Sequence, residues 1–310
     1  MTNGSENRTD APARGLSTVV DFVRWAASRF GAAGLHFGHG TDNPIDEALQ
    51  LVAHGLHLPL PMPPEFFQAA LTLVERETVT DLVRRRIDER KPVAYLTGDA
   101  WFAGLAFSVD ERVLVPRSPI AELIENRFSP WIDPDRIHAV LDLCTGSGCI
   151  GIASACHIPH ARVDITDISE DALVVARDNI RRHELAGRVR AIRADVYDGL
   201  GKSRYDVIVS NPPYVPRREY DSLPDEYRHE PELGLVADDD GLAVVKRIVR
   251  GATGHLEPGG ILVVEVGNGE VAVAEAFAGL PLTWLDFARG GAGVFLLTRE
   301  ELEAAGSDME

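Results

Sequence analysis

Four short runs rich in apolar and β-branched residues constrain this chain most: Ala139–Leu143, Arg162–Thr166, Val189–Ala194 and Tyr205–Ser210, set in a rhythm in which strands and helices alternate. Runs of this length suit strands of a buried parallel sheet, and strands alternating with helices build a doubly wound α/β fold. The alternation continues to about Gly269. The chain then changes pattern: Trp284–Phe287 and Val294–Leu297, joined by Gly290-Gly291-Ala292-Gly293, predict an antiparallel hairpin. In open sheets of this kind ligands collect beyond the carboxyl ends of the strands, so the residues that follow each run are where chemistry is expected.

After Leu143 comes Cys144-Thr145-Gly146-Ser147-Gly148 and then the apolar, helix-like Cys149–Ala153. A strand, a glycine loop and a helix N-terminus together let a ligand approach the backbone closely and meet free N–H groups. The second run ends in Asp167, about twenty residues on, placed to accept hydrogen bonds from a ribose diol. Its alternative role is an N-terminal cap for a helix starting near Ser169. The third run ends in Asp195, whose carboxylate suits an adenine amino group, with Val196 lining the base; a plain loop role is the alternative. Together these positions predict a nucleoside pocket.

The fourth run leads into Asn211-Pro212-Pro213-Tyr214. Asn211 offers an amide oxygen, and the prolines fix the backbone and remove N–H donors, leaving the Pro212 carbonyl free to accept. Two acceptors suit one NH2 group, and the flat face of Tyr214 suits the planar group that carries it. Gly146, Gly148 and Gly151 also satisfy G-x-G-x-x-G, but a dehydrogenase needs an acid or base beside its nicotinamide, and an amine clamp stands there instead. S-adenosylmethionine fits both halves, since its adenosine suits the glycine loop and its sulfonium methyl is an electrophile for an amine.

The chain has 45% apolar residues over 310 positions, enough for more than one domain. Its 31 Lys and Arg stand against 48 Asp and Glu, a formal charge of −17, which disfavours a protein that grips a phosphate backbone. Cys144, Cys149 and Cys156 form no C-x-x-C pair and are expected as small buried residues of a reduced protein. No signal-peptide core or long apolar span is present in the sequence, so a soluble, cytoplasmic protein is expected.

Residues 18–95 read as a small helical domain, with Val19, Phe22, Val23, Ala26 and Phe30 on one face and Leu71, Val74, Val79, Leu82 and Val83 on another. Arg84-Arg85-Arg86, interleaved with acids further on, reads as a solvated helix end. His36, His39, His54 and His57 lack the remaining ligand geometry of a metal site, and none is expected. Residues 96–115 are expected to form a β-hairpin linker from Phe107–Val109 and Val113–Val115, followed by a helix carrying Ile120, Leu123 and Ile124. The catalytic domain is expected over 116–300. A tail at residues 1–17 and an acidic tail at 301–310, disordered over Gly306–Glu310, complete the organisation.

These residues resemble the class I S-adenosylmethionine-dependent methyltransferases. Within them, Asp142–Gly148 plus Asn211–Tyr214 is similar to the protein-glutamine N5-methyltransferase family, as are Val115-Pro116-Arg117, Glu230–Leu233 and Asp240-Gly241-Leu242. The resemblance covers about residues 18–300. It implies a Rossmann-like, seven-stranded, mostly parallel sheet with an N-terminal helical domain. It also implies that Asp142 and Asn211 join the cofactor residues named above, and that Arg117 joins Asn211, Pro212, Pro213 and Tyr214 at the substrate. Arg24-Trp25-Ala26 with Ser28-Arg29-Phe30, the segment Gly38–Pro44, and Val115–Ile120 resemble the branch that modifies ribosomal protein L-three rather than the branch that modifies release factors. The same tetrapeptide occurs in DNA adenine methyltransferases, which need a basic target-recognition region.

Overall fold

Residues 15–306 are described in the computed structural model of the chain. The expected tails lie outside the described residues up to residue 14 and from residue 307. The chain forms two compact units, one ending at Thr97 and the other beginning at Gly98.

The first unit is helical: α1 (Val19–Ala32), α2 (Pro44–Gly55), α3 (Leu73–Asp88) and α4 (Val93–Thr97). The first three start where side chains satisfy the free backbone donors. Thr18 and Asp21 form a capping box at α1, Thr72 and Glu75 another at α3, and Asn43 accepts from the backbone of Ile45 and Asp46 ahead of Pro44 at α2. The predicted apolar face of α1 is buried throughout. On α3, Val79, Leu82 and Val83 are buried, but Val74 is 71% exposed. Five residues from Val79, Val74 falls on the opposite side of the helix.

Arg86 departs from expectation as well. Three residues beyond Val83 and four beyond Leu82, it continues the buried stripe, and only 1% of its side chain is exposed. It bonds to the carboxylate of Glu47, itself buried on α2, and donates to the His36 carbonyl at 3.1 Å. Arg84 and Arg85 remain at the surface and pair with Asp81 and Glu89.

The second unit opens with an antiparallel hairpin, β1 (Asp99–Phe102) and β2 (Leu105–Ser108), followed by α5 (Ile120–Glu125). The hairpin lies earlier than expected because Ala103 and Gly104, at φ 47° and 76°, form the two-residue turn that joins paired strands. Val113–Val115 is not a strand; the Val115 N–H donates instead to the buried carboxylate of Glu230 at 3.0 Å. Nor does the hairpin act as a bare linker. Phe107 is part of the second unit's core, and the buried side chain of Asn179 bonds both backbone groups of Ser108, at 2.7 and 2.9 Å.

Then follow β3 (Ala139–Leu143), α6 (Cys149–His157), β4 (Arg162–Asp167), α7 (Glu170–Arg182), β5 (Val189–Arg193) and β6 (Tyr205–Ser210). Beyond β6 come the short β7 (Val215–Pro216), α8 (Arg217–Tyr220), α9 (Glu232–Leu235) and β8 (Val236–Ala237), then α10 (Ala243–His255), β9 (Leu256–Glu265) and α11 (Glu270–Ala276). The hairpin β10 (Thr283–Trp284) and β11 (Val294–Thr298) and a last helix, α12 (Arg299–Gly306), complete the unit. Residues 301–306, expected in the tail, therefore do not belong to it. Thr298 and Glu301 form a reciprocal cap, and Leu302 is buried.

Seven strands make one sheet in the order β10-β11-β9-β6-β3-β4-β5, all parallel from β9 to β5, with β11 antiparallel to β9. The alternation of side chains sorts β3 cleanly: Val140 joins the core on one face, Leu141 and Leu143 the core on the other. The chain winds outward from β3 through β4 to β5 and then crosses to β6 on β3's other side. That reversal makes a topological switch point between β3 and β6.

Candidate active site

A cavity of about 320 Å³ opens at the carboxyl ends of β3, β4, β5, β6 and β9. Of the residues expected to act, Cys144, Thr145, Gly146, Ser147, Asp167, Asp195, Val196, Asn211, Pro212, Pro213, Tyr214 and Arg117 all line it. Asp142 and Gly148 do not.

Asp142 is fully buried, on the face of β3 that meets α6. Its carboxylate accepts from the Gly151 N–H at 2.9 Å and from the Thr145 hydroxyl, so it braces the loop from beneath. Burial pushes its pKa up to about 7, against the pull of those two donors. Gly151 permits this packing: a Cβ there would lie 2.3 Å from Ile165 Cγ2. Gly148, at φ 83°, turns the chain into α6 under the loop, where a Cβ would press on Ile152, Ala176 and Ile165. The loop is tied from two further sides, by Thr145 N–H to the Thr166 carbonyl at 2.9 Å and by the Asn179 amide to the Ser147 carbonyl at 2.9 Å.

The carboxylate of Asp167 accepts from the Gly146 N–H and the Ser169 N–H, each at 2.9 Å. Burial raises its pKa, while these backbone donors hold it down. The cap of α7 is Ser169, which accepts from the Ala172 N–H at 3.2 Å. A carboxylate has about four acceptor sites, so Asp167 keeps capacity toward the cavity. Asp195 accepts from Arg247 of α10 at 2.8 Å in a half-exposed pair. Arg247 thus stands beside the acceptor expected for a base.

Burial raises the phenol pKa of Tyr214, and the residue is held by two close approaches. A Cβ on Gly241 would lie 2.3 Å from the Tyr214 carbonyl oxygen, and one on Gly267 would lie 2.7 Å from ring atom Cε2. Arg117 grips Glu230 through both ends of its guanidinium, with Nη2 to Oε2 at 2.7 Å, and its Nη1 donates to the Val115 carbonyl at 3.1 Å. Its pKa is raised: the carboxylate of Glu230, whose side chain has no exposure, outweighs the opposing effect of burial. Tyr227 lies under the cation, 5.6 Å from ring centroid to Cζ.

Residues 128–223 match the family model of the methyltransferase small domain. The ribosomal protein uL3 glutamine methyltransferase of Xylella fastidiosa is 53% identical over 296 residues, spanning 96% of this chain and 95% of that protein. The one from Francisella tularensis is 48% identical over 93% of this chain and 92% of its own length. The chain belongs to the uL3 glutamine methyltransferases. A crystal structure of a methyltransferase from Pyrococcus furiosus aligns with a TM-score of 0.47 at 20% identity, over 63% of this chain and 89% of that one.

In this uL3 glutamine methyltransferase the sequence reading overlooked several residues at the cavity: Ser118, Ile168, Val244, Arg247 and Glu265. For Glu265 the signal was available. It ends the apolar run Ile261–Val264 as Asp167 and Asp195 end theirs. Glu230 had a signal only through the family resemblance, and Asn179 had none, because they act on backbone 115 positions away and on backbone 71 and 32 positions away. The three cysteines are all free; Cys144 lines the cavity, and burial pushes Cys149 up to about 12. Among the described residues no helix is long and apolar enough to cross a membrane.

Proposed function

We propose that this chain transfers a methyl group from S-adenosylmethionine to the side-chain amide nitrogen of a glutamine in ribosomal protein uL3. The observation that carries the chemistry is that the glycine loop and the Asn211–Tyr214 segment open into one cavity. The donor set fits the cofactor: Asp167 has acceptor capacity for a ribose diol, and Ile168, Val196 and Val244 offer apolar surface for a base. Bound there, S-adenosylmethionine supplies an electrophilic methyl group on its sulfonium. Asn211 Oδ1 and the Pro212 carbonyl accept from the two N–H bonds of the substrate amide, which favours positive charge developing on its nitrogen and fixes the line of attack. Tyr214 holds the amide plane. The proton released after methyl transfer passes to water, and Arg117 orients the substrate at the mouth.

Near-full-length identity with uL3 glutamine methyltransferases supports uL3 as the substrate over a release factor. The charge of −17 favours a basic protein over DNA and draws it in by an attraction that weakens with salt. Because one glutamine side chain cannot identify a protein, residues 18–95 carry the selectivity. The expected result of incubating the purified enzyme and cofactor with free uL3, a release factor, assembled ribosomes and duplex DNA is a single methyl increment on a uL3 glutamine by mass spectrometry. Release factor and DNA stay unmodified, and ribosomes react poorly. Preferential labelling of a release factor reassigns the substrate, and labelling of DNA overturns the class.

Asp167→Ala is expected to weaken the cofactor by about 1–3 kcal/mol through loss of a charge-assisted contact. Saturating cofactor should restore part of the turnover. Calorimetry with S-adenosylmethionine measures it, and an unchanged affinity would confine Asp167 to bracing the Gly146 and Ser169 backbone.

A further inference from the structure

Glu265 is the last residue of β9 and only 6% exposed. Its position follows from the register of the sheet. Ser210 on β6 pairs with Val264 on β9, so the next residues, Asn211 and Glu265, come side by side. Val207 and Val209, like Ile261 and Val263, face the same core, and the period of two turns Asn211 and Glu265 to that same face.

Three neutral donors surround the carboxylate. The Ser118 hydroxyl bonds Oε2 directly. The Tyr214 hydroxyl and the Asn211 amide lie near enough to pull its pKa down. Gly267, two residues on, packs against the Tyr214 ring. On β11 its register partner is the apolar Val294. Arg117, already held by Glu230, also pulls its pKa down.

An asparagine side chain is nearly symmetric in shape but not in function: one end accepts and the other donates. If Nδ2 of Asn211 donates to Glu265, Oδ1 is turned into the cavity. Flipped, the same side chain would present NH2 to an incoming NH2. We propose that Glu265 is the positioning residue of the amide clamp: by accepting from Asn211 and Tyr214 it fixes which end of Asn211 faces the substrate and so makes the site selective for an NH2 donor. This rests on the reading that Asn211 holds the reacting amide.

The charge on Glu265 sets its ability to accept. Burial pushes its pKa up to about 7, with Ser118, Arg117, Tyr214 and Asn211 pulling the other way. Above that pH the carboxylate accepts from Asn211; below it the protonated acid competes as a donor and the fixed orientation is lost. Turnover therefore falls as pH drops through about 7.

The test measures kcat, KM and cofactor affinity across pH for the wild type, Glu265→Gln, Ser118→Ala and Asn211→Ala, with melting curves for each. Glu265→Gln is expected to lose about 10–100-fold in kcat, as for other residues that orient a functional group, with cofactor affinity unchanged and no acid limb. Ser118→Ala keeps the carboxylate but removes a donor that lowers its pKa, so the acid limb moves to higher pH. That variant decides the matter if Glu265→Gln does not fold. A wild-type kcat with the acid limb intact in Glu265→Gln, or a limb unmoved in Ser118→Ala, overturns the proposal. If Asn211→Ala is itself active, the clamp reading fails first; if it is inactive while Glu265→Gln behaves as wild type, only the role of Glu265 fails.

Discussion

Replacing Asn211 by alanine is expected to lower kcat by about 10²–10³-fold, the usual consequence of removing one group aimed at developing transition-state charge. The affinity for S-adenosylmethionine is expected to stay close to that of the wild type, because the contacts at the glycine loop and Asp167 are untouched. An amide nitrogen is a poor nucleophile, its lone pair shared with the carbonyl. The clamp contributes only as that lone pair localises, so the loss falls on kcat rather than on binding. Single-turnover kinetics beside calorimetry separate the two. Methylation near the wild-type rate would refute the clamp, whereas a fall confined to cofactor affinity would move Asn211 to the cofactor's side of the cavity.

Arg86→Ala is expected to destabilise the helical unit by about 3–5 kcal/mol, because it leaves the buried carboxylate of Glu47 without its cation. The loss exceeds that of a surface pair such as Arg85 with Glu89, worth at most about 1 kcal/mol. Removing both charges at once, as Arg86→Met with Glu47→Leu, should recover most of the stability, since a buried ion pair and an apolar pair of similar volume are often close in energy. Urea melts of the whole chain, followed by hydrogen exchange at α2 and α3, measure the effect. If Arg86→Ala melts with the wild type, the pair contributes no more than a surface bridge.

Both residues show how far sequence carries. The strands β3, β4, β5 and β6 were legible to within a residue, because apolar runs bounded by glycine, aspartate or asparagine have few other ways to fold. The loops at their carboxyl ends were legible for the same reason. A parallel sheet brings those ends to one edge, so Gly146, Asp167, Asp195 and Asn211 had to meet. The buried faces of α1 and, apart from Val74, of α3 followed from periodicity.

Tertiary structure decided what local pattern leaves open. Asp142 stands one residue before Leu143 in a motif that looks like a single ligand site, yet the alternation of β3 sends it under α6 to Gly151 rather than into the cavity. Arg86 sits in a run of three arginines whose surroundings read as solvent; the helix period turns it to the buried face, and the packing of α3 on α2 sets it against Glu47. The hairpin shifted because Ala103 adopted a positive φ that composition alone does not announce. Val115 lost its strand to a carboxylate 115 positions away. Sequence by itself determined the elements whose stability is local or periodic, together with the edge where they converge. Which buried charge meets which partner depends on contacts between distant segments, and these exist only once the sheet and helices have packed.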